Sequence, residues 1–282
     1  MKKEQRKPVD EITLGIVIPC YNEEDVIPLL YQEMTSFMEQ VDYAVNVLFV
    51  NDGSADQTAS MLGDIVERDE RFALINLSRN FGHQTAVTAG LNFIHGDVVG
   101  VIDADLQDPP QILDGMLGKW HEGYDVVYGI RKNRKESPFL RSAYAVFYRI
   151  LRKIANVNIP LDAGDFSIMD RKVVNRINSL PEHNRFIRGL RGWVGFKQTG
   201  YEYERSPRAA GKPKYNLGRL MQLAFDGIVT MSSFPLRIAS WIGAISAVIG
   251  FIYSIYAFIN ALFFDRPPSG WTSLVILIIF FG

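Results

Sequence analysis

The stretch 101–110, Val-Ile-Asp-Ala-Asp-Leu-Gln-Asp-Pro-Pro, has residue types and spacing that allow chemistry. An apolar run ends in two carboxylates one residue apart, Asp103 and Asp105. Both can therefore address the region where a strand gives way to a loop. With a diphosphate they make an oxygen-rich site for a hard cation, Mg2+ or Mn2+. Such a cation neutralises a nucleoside diphosphate as it departs. An Asp-x-Asp pair alone also shapes surface turns and caps helices, so its weight here comes from its place at a strand end. Neither G-x-G-x-x-G nor G-x-x-x-x-G-K-[ST] occurs in the chain, which argues against dinucleotide oxidoreductases and P-loop enzymes.

Two further clusters accompany this one. In Asp162-Ala163-Gly164-Asp165-Phe166, Asp165 could contact a transferring sugar or its acceptor, and either aspartate could instead shape a turn. The other cluster is cationic. Arg185, Arg188 and Arg191 recur every three residues, and Arg205, Arg208, Lys212 and Lys214 follow. Guanidinium forks match phosphate oxygens, while a basic belt is also attracted to anionic lipid. Both uses are expected, with a subset of the cations on substrate phosphate. A basic amphipathic helix over 137–156 adds Arg141, Arg149, Arg152 and Lys153.

The elements that must position these residues follow from hydrophobic periodicity. Short β-branched runs at 12–19, 45–51, 72–77, 98–103 and 125–128 predict strands, and helical patterns are expected over 23–41, 55–70, 83–95 and 109–123. Val26, Leu30, Met34, Phe37 and Val41 share one face of the first helix. Alternating strands and helices predict an α/β fold, a mostly parallel sheet with helices on both faces. Ligands of such sheets sit beyond the carboxyl ends of the strands. Polar groups gather at four of those ends: Asn22-Glu23, Asn51-Asp52, Ser78-Arg79-Asn80 and Asp103 with Asp105. Residues 162–215 are mixed, with Gly and Arg frequent.

The 282 residues have a formal net charge of -1, and bulk charge gives no reason to expect a nucleic-acid partner. A single cysteine, Cys20, excludes an intrachain disulfide, and His83, His95, His121 and His183 lack metal-ligand spacing. The charged segment 1–11 is not a signal peptide. From residue 238 to 264 there are 27 residues without a charge, which at about 1.5 Å per residue exceeds the roughly 30 Å hydrocarbon core. A second apolar run, 271–282, is read as the truncated start of another span. Between Arg205 and Arg237 there are six basic residues against one acid, Asp226. Such an excess places the large N-terminal part in the cytoplasm. The expected organisation is a catalytic domain over 1–215, a juxtamembrane amphipathic helix over 216–234, and membrane helices over 235–264 and 271–282. That makes the protein multi-pass in the cytoplasmic (plasma) membrane.

Taken together, the motifs V-I-P-C-Y-N-E-E (17–24), V-N-D-G-S-A-D (50–56), L-S-R-N-F-G-H-Q (77–84), D-A-D-L-Q-D-P-P (103–110), Y-G-I-R (128–131), A-G-D-F (163–166) and R-x-x-R-x-x-G-K-P-K-Y (205–215) resemble a known family. The chain resembles family-2 glycosyltransferases of the dolichyl-phosphate-mannose-synthase type, and among them the bacterial undecaprenyl-phosphate subgroup. The resemblance runs from about Leu14 to the membrane spans. It implies a Rossmann-like fold of the GT-A type. Pro19, Tyr21 and Glu23 would then border the nucleoside, with Asp52 near base or ribose and Gln84 on the donor side. Asp103 would lie near ribose and diphosphate, Asp105 and Gln107 would bind the metal, and Arg131 would steady the diphosphate. Arg141, Arg205, Arg208 and Lys214 would hold acceptor phosphate or pyrophosphate, and Asp165 matches the position proposed as catalytic. Two departures stand out: Asn51 replaces a frequent Asp, and Pro213 replaces a frequent Ser before Lys214. The Q-x-x-R-W motif of processive synthases is absent, which favours transfer of a single sugar.

The implied reaction moves one sugar, from UDP-glucose or UDP-N-acetylglucosamine, to polyprenyl phosphate. A phosphate monoester is already anionic at neutral pH, so direct in-line attack with inversion needs no strong base. Rival readings are a different membrane-proximal acceptor, such as diacylglycerol or an envelope polymer, and a silent nucleotide-sugar-binding subunit. Self-association is compatible with all of them.

Overall fold

The structure is a computed structural model and describes residues 6–132, 163–182, 185–204 and 234–263, together with 270, 274 and 278. The chain divides into two compact units, Met1–Thr230 and Met231–Gly282.

The first unit is built on a seven-stranded sheet. Strand β1 (Thr13–Cys20) is buried at every residue but the first, as expected of a strand covered on both faces. Helix α1 (Ile27–Gln40), strand β2 (Ala44–Asn51), helix α2 (Thr58–Arg68), strand β3 (Phe72–Asn76), helix α3 (His83–Phe93), strand β4 (Val98–Val101) and helix α4 (Ile112–His121) follow in alternation. Next come strands β5 (Val126–Lys132) and β6 (Ala163–Asp170), helices α5 (Arg171–Asn178) and α6 (Ile187–Trp193), and strand β7 (Gln198–Glu204). The order across the sheet is β3-β2-β1-β4-β6-β5-β7. β3, β2, β1 and β4 run parallel, β6 is antiparallel to both β4 and β5, and β5 pairs in parallel with β7. The sheet is thus mostly parallel but mixed.

Each face of the sheet buries a different set of helices. Leu14, Ile16, Ile18 and Cys20 join Leu30, Met34 and Phe37 of α1 and Leu113, Met116 and Leu117 of α4 in one core cluster. On β1 the intervening Val17 points the other way and meets α3 at Gly90. A Cβ on Gly90 would lie 2.2 Å from a Val17 methyl, so only glycine lets this helix approach the strand so closely. α1 begins at Ile27 rather than near residue 23. Residues 21–24 form a turn in which Asn22 has φ 51°, and Pro28 occupies the first helical turn, where its missing N–H costs nothing.

The sequence pattern did not announce β6 and β7. β6 opens with Ala-Gly-Asp and β7 reads Gln-Thr-Gly-Tyr-Glu-Tyr-Glu. Neither shows the β-branched run by which the first five strands are recognised.

The second unit contains helix α7 (Phe234–Phe263). Its segment Leu236–Tyr256, 21 residues of mean hydropathy 1.9, is long and apolar enough to cross a membrane. The helix occupies the residues expected for the first span. The expected juxtamembrane helix and second span lie outside the described residues, apart from Phe234 and isolated positions in 270–278.

Candidate active site

The carboxyl ends of β1 and β2 are laced together by their loops. Asn22 N donates to Ser54 Oγ (3.0 Å), and Asn22 Oδ1 accepts from Ala55 N (2.8 Å). Glu23 N donates to Thr58 Oγ1 (2.8 Å), and Glu24 Oε2 accepts from Gln57 N (2.9 Å). Pro19 lies buried in β1 opposite Val50, while Tyr21, just beyond the strand, is exposed. Asp52, expected near base or ribose, is buried and accepts backbone N–H bonds from Phe81 (2.8 Å) and Gly82 (2.9 Å). Its carboxylate clamps the loop after β3 onto the loop after β2. Gly53, at φ 64°, makes that contact possible, because a Cβ there would sit 2.3 Å from the Arg79 carbonyl carbon.

The clamped loop delivers the first turn of α3 to the ends of β4 and β6. His83 Nε2 lies 3.0 Å from Asp103 Oδ1, and its Nδ1 lies 3.9 Å from Asp165 Oδ2. Arg188 grips Asp165 with two parallel bonds, Nε to Oδ1 at 2.8 Å and a terminal nitrogen to Oδ2 at 2.7 Å, a strong, orientation-fixing arrangement. Gln84 Oε1 accepts from Ile187 N (2.8 Å), and its amide nitrogen reaches Asp165 Oδ2 at 3.5 Å. Gln84 therefore ties α3 to α6 beside Asp165. Arg191 is buried behind this group and donates to the Gly164 carbonyl (3.3 Å).

Charge within the cluster is strongly coupled. Burial pulls the His83 imidazole down, but the bond and charge of Asp103 and the charge of Asp165 win and raise it to about 9. Asp103 is lowered: burial opposes this, and the His83 bond and charge overcome it. Asp165 is held well below the usual carboxylate range, because the charge and hydrogen bonds of Arg188 outweigh burial. Burial brings Arg191 down to about 10, against the pull of Asp165. At neutral pH the cluster contains two ionised carboxylates, one imidazolium and two guanidinium groups.

Asp105 and Gln107 occupy the turn after β4. Gln107 N donates to Asp105 Oδ1 (3.2 Å), and Leu106 between them has φ 54°. A non-glycine residue in the left-handed region costs roughly 1–2 kcal/mol, a strain found where a site fixes the backbone. No group of three or more His, Cys, Asp or Glu side chains that could hold a metal ion exists among the described residues. One carboxylate and one side-chain amide oxygen still fit a hard cation that takes its remaining ligands from substrate phosphate oxygens and water, as Mg2+ commonly does. Arg131, partly exposed on β5, lies beside the Gly164 backbone and 3.7 Å from the buried Asp108.

The fold thus brings Gln84, Asp103 and Asp165 into one contact network and sets Arg131 against Gly164 at its edge. Arg141, Arg205, Arg208 and Lys214 lie outside the described residues, as does Asp162. The Arg185, Arg188 and Arg191 row does not form one phosphate-facing surface. Arg185 donates to the carbonyls of Asn178, Leu180 and Glu182, Arg188 faces Asp165, and Arg191 is buried. Residue-by-residue reading missed His83 and Asp108. His83 sits in the L-S-R-N-F-G-H-Q motif and Asp108 in D-A-D-L-Q-D-P-P, so the motifs contained the signal without saying what either side chain would touch.

The model of the family described as "Glycosyl transferase family 2" matches residues 15–177. An uncharacterized glycosyltransferase of Bacillus subtilis (strain 168), YkcC, is 45% identical over 272 residues, covering 96% of this chain and 84% of the relative. The bactoprenol glucosyl transferase of Shigella phage SfV is 38% identical over 270 residues, 95% of this chain and 88% of that protein. In fold, the chain is similar to glucosyl-3-phosphoglycerate synthase from Mycobacterium tuberculosis, solved with Mn2+, uridine diphosphate and glucosyl-3-phosphoglycerate. That likeness has a TM-score of 0.54 and 19% identity over 79% of this chain and 80% of that one, which gives the architecture as a GT-A-like α/β fold. On the match to the family model and on these relatives, the chain belongs to glycosyl transferase family 2.

Proposed function

We propose that the protein transfers a single sugar from a nucleoside-diphosphate sugar, UDP-glucose or UDP-N-acetylglucosamine, to a polyprenyl phosphate, inverting the anomeric carbon. The observation that supports this best is the charge arrangement at the strand ends. A carboxylate fixed by an arginine, Asp165 with Arg188, stands beside a second carboxylate, Asp103, with an imidazolium between them. The lipid acceptor is supported by the name of the phage SfV relative and by an apolar helix long enough to span a membrane. The protein then acts at the cytoplasmic membrane, with its first unit on the cytoplasmic side.

The phosphate monoester of the acceptor is its own nucleophile. Asp165, held ionised by Arg188, is a poor proton acceptor and is better suited to stabilise positive charge developing on the sugar ring or to orient its hydroxyls. Arg131 supplies N–H donors to the departing diphosphate. Asp105 and Gln107 would hold Mg2+ or Mn2+ with the donor phosphates, and when bound the ion would offset the charge on the leaving group. Pro19, Tyr21 and Glu23, at the end of β1, are proposed to border the nucleoside, and Arg141, Arg205, Arg208 and Lys214 are proposed for the acceptor phosphate. The test is a panel of nucleotide sugars incubated with undecaprenyl phosphate and Mn2+ or Mg2+ in detergent. A polyprenyl-monophosphate-linked sugar of inverted anomeric configuration is expected. Donor hydrolysis alone, or transfer only to diacylglycerol, would refute the reading.

A further inference from the structure

Asp108 is buried completely, yet none of the roles above uses it. An ionised carboxylate out of water is costly unless it is paired and hydrogen-bonded. Its partners come from two strands of the sheet. The Tyr203 hydroxyl donates to Asp108 Oδ1, and a terminal nitrogen of Arg131 stands 3.7 Å from Oδ2. Arg131 and Tyr203 are register partners on the parallel pair β5 and β7, so the two groups reach the carboxylate side by side. Burial works against the Arg131 cation, but the charge of Asp108 and the Tyr203 bond raise its affinity for the proton.

The surroundings favour this arrangement. The Tyr203 ring packs edge-on against Phe166, the residue after Asp165, at 5.3 Å between centroids. A Cβ at Gly129 would lie 2.7 Å from the Tyr203 ring and 2.8 Å from that of Phe166, so a glycine two residues before Arg131 leaves the room these rings occupy. Asp108 itself follows Gln107 directly, and Pro109 and Pro110 stiffen the chain beyond it. Whatever fixes Asp108 also fixes the end of the turn that presents Asp105 and Gln107.

We propose that Asp108 is a positioning residue: its buried carboxylate, steadied by Tyr203, aims Arg131 at the donor diphosphate and locks it to the loop bearing Asp105 and Gln107. A guanidinium has five N–H donors, so the nitrogen facing Asp108 leaves others to meet phosphate oxygens. The inference rests on the proposed transfer reaction for the role of Arg131, but the contacts among Asp108, Tyr203 and Arg131 stand without it.

The experiment is a double-mutant cycle on the full chain in detergent, with Asp108→Asn, Arg131→Ala and the two combined. Turnover is followed with UDP-glucose, undecaprenyl phosphate and Mn2+, and UDP binding is titrated separately. Asp108→Asn should lower kcat about 10- to 100-fold, the scale of a displaced reacting group, while its thermal midpoint stays near that of the parent. UDP affinity should fall with it. The combined variant should be no more than about twofold worse than Arg131→Ala alone, since the effect passes through that side chain. Losses that multiply, or an Asp108→Asn rate within about twofold of the parent, overturn the proposal. Should Asp108→Asn fail to fold, Tyr203→Phe removes only the supporting hydroxyl and must show the same non-additivity with Arg131→Ala. If the parent turns over no donor with undecaprenyl phosphate, the transfer reading falls. The UDP cycle still decides the role of Asp108.

Discussion

At the residue scale, Asp165 and Asp105 are both carboxylates at strand ends but sit in opposite environments. Arg188 fixes Asp165 through two parallel bonds and keeps it ionised. Asp105 lies in a turn whose strained Leu106 and Gln107 N–H set its direction. If Asp105 shares a cation with the donor, Asp105→Asn removes several kcal/mol of charge stabilisation, about 100-fold or more in rate. Turnover in the folded variant, and in the parent with excess chelator, checks this; near-parental rates in either would remove the metal role. His83 gives a pH prediction. Its folded-state value, about 9, lies above the ordinary 6.5 because of Asp103 and Asp165. The stabilisation it adds is therefore fully present below pH 6.5 and is lost as the pH rises through about 9. Its ring is about 38% exposed, so solvent screens the effect. Melting temperatures of the ligand-free protein should fall across that window, and His83→Gln should flatten the decline.

At the element scale, α3 connects the core to the site. Its first turn supplies His83 and Gln84, and its middle rests on β1 through Gly90. Gly90→Ala would force a methyl against Val17 and should destabilise the first unit by about 1–3 kcal/mol, as overpacking does. Chemical denaturation of the parent and variant measures this. An unchanged midpoint would show that the helix can shift at no cost. The antiparallel strand β6 is the other decisive element. By entering between β4 and β5 it puts Asp165 within reach of His83, at the end of a sheet whose first four strands run parallel.

At the scale of the whole molecule, the proposed reaction requires a water-soluble donor and a membrane-bound acceptor to meet. Five basic residues, Arg205, Arg208, Lys212, Lys214 and Arg219, precede an apolar helix whose first turn carries a sixth, Arg237. Each is worth about 1 kcal/mol at best near an anionic leaflet. A chain ending at Glu204 should therefore move from the membrane fraction to the soluble one. Sedimentation with membranes as firm as that of the full chain would mean that something other than 205–237 and the apolar helix holds the protein there.

The first five strands, the helices among them and the apolar helix were legible in the sequence because each is a local pattern: β-branched runs, a 3.6-residue apolar stripe, a long uncharged stretch. Asp103 and Asp105 were visible for the same reason, as an apolar run ending in paired carboxylates. Asp165 was visible as a residue but not as half of an ion pair. Its partner Arg188 looked like one of three evenly spaced phosphate-binding cations, and only tertiary structure sends Arg185, Arg188 and Arg191 to three different environments. That Asp52 clamps the loop after β3 was likewise not visible in the sequence. The sequence alone determined which residue types stand at the strand ends, because adjacent residues share one backbone direction. Which of them touch one another was decided by the tertiary fold, which joins residues as far apart as Asp108 and Tyr203 on β7 or His83 and Asp165 on β6, separations that no local spacing records.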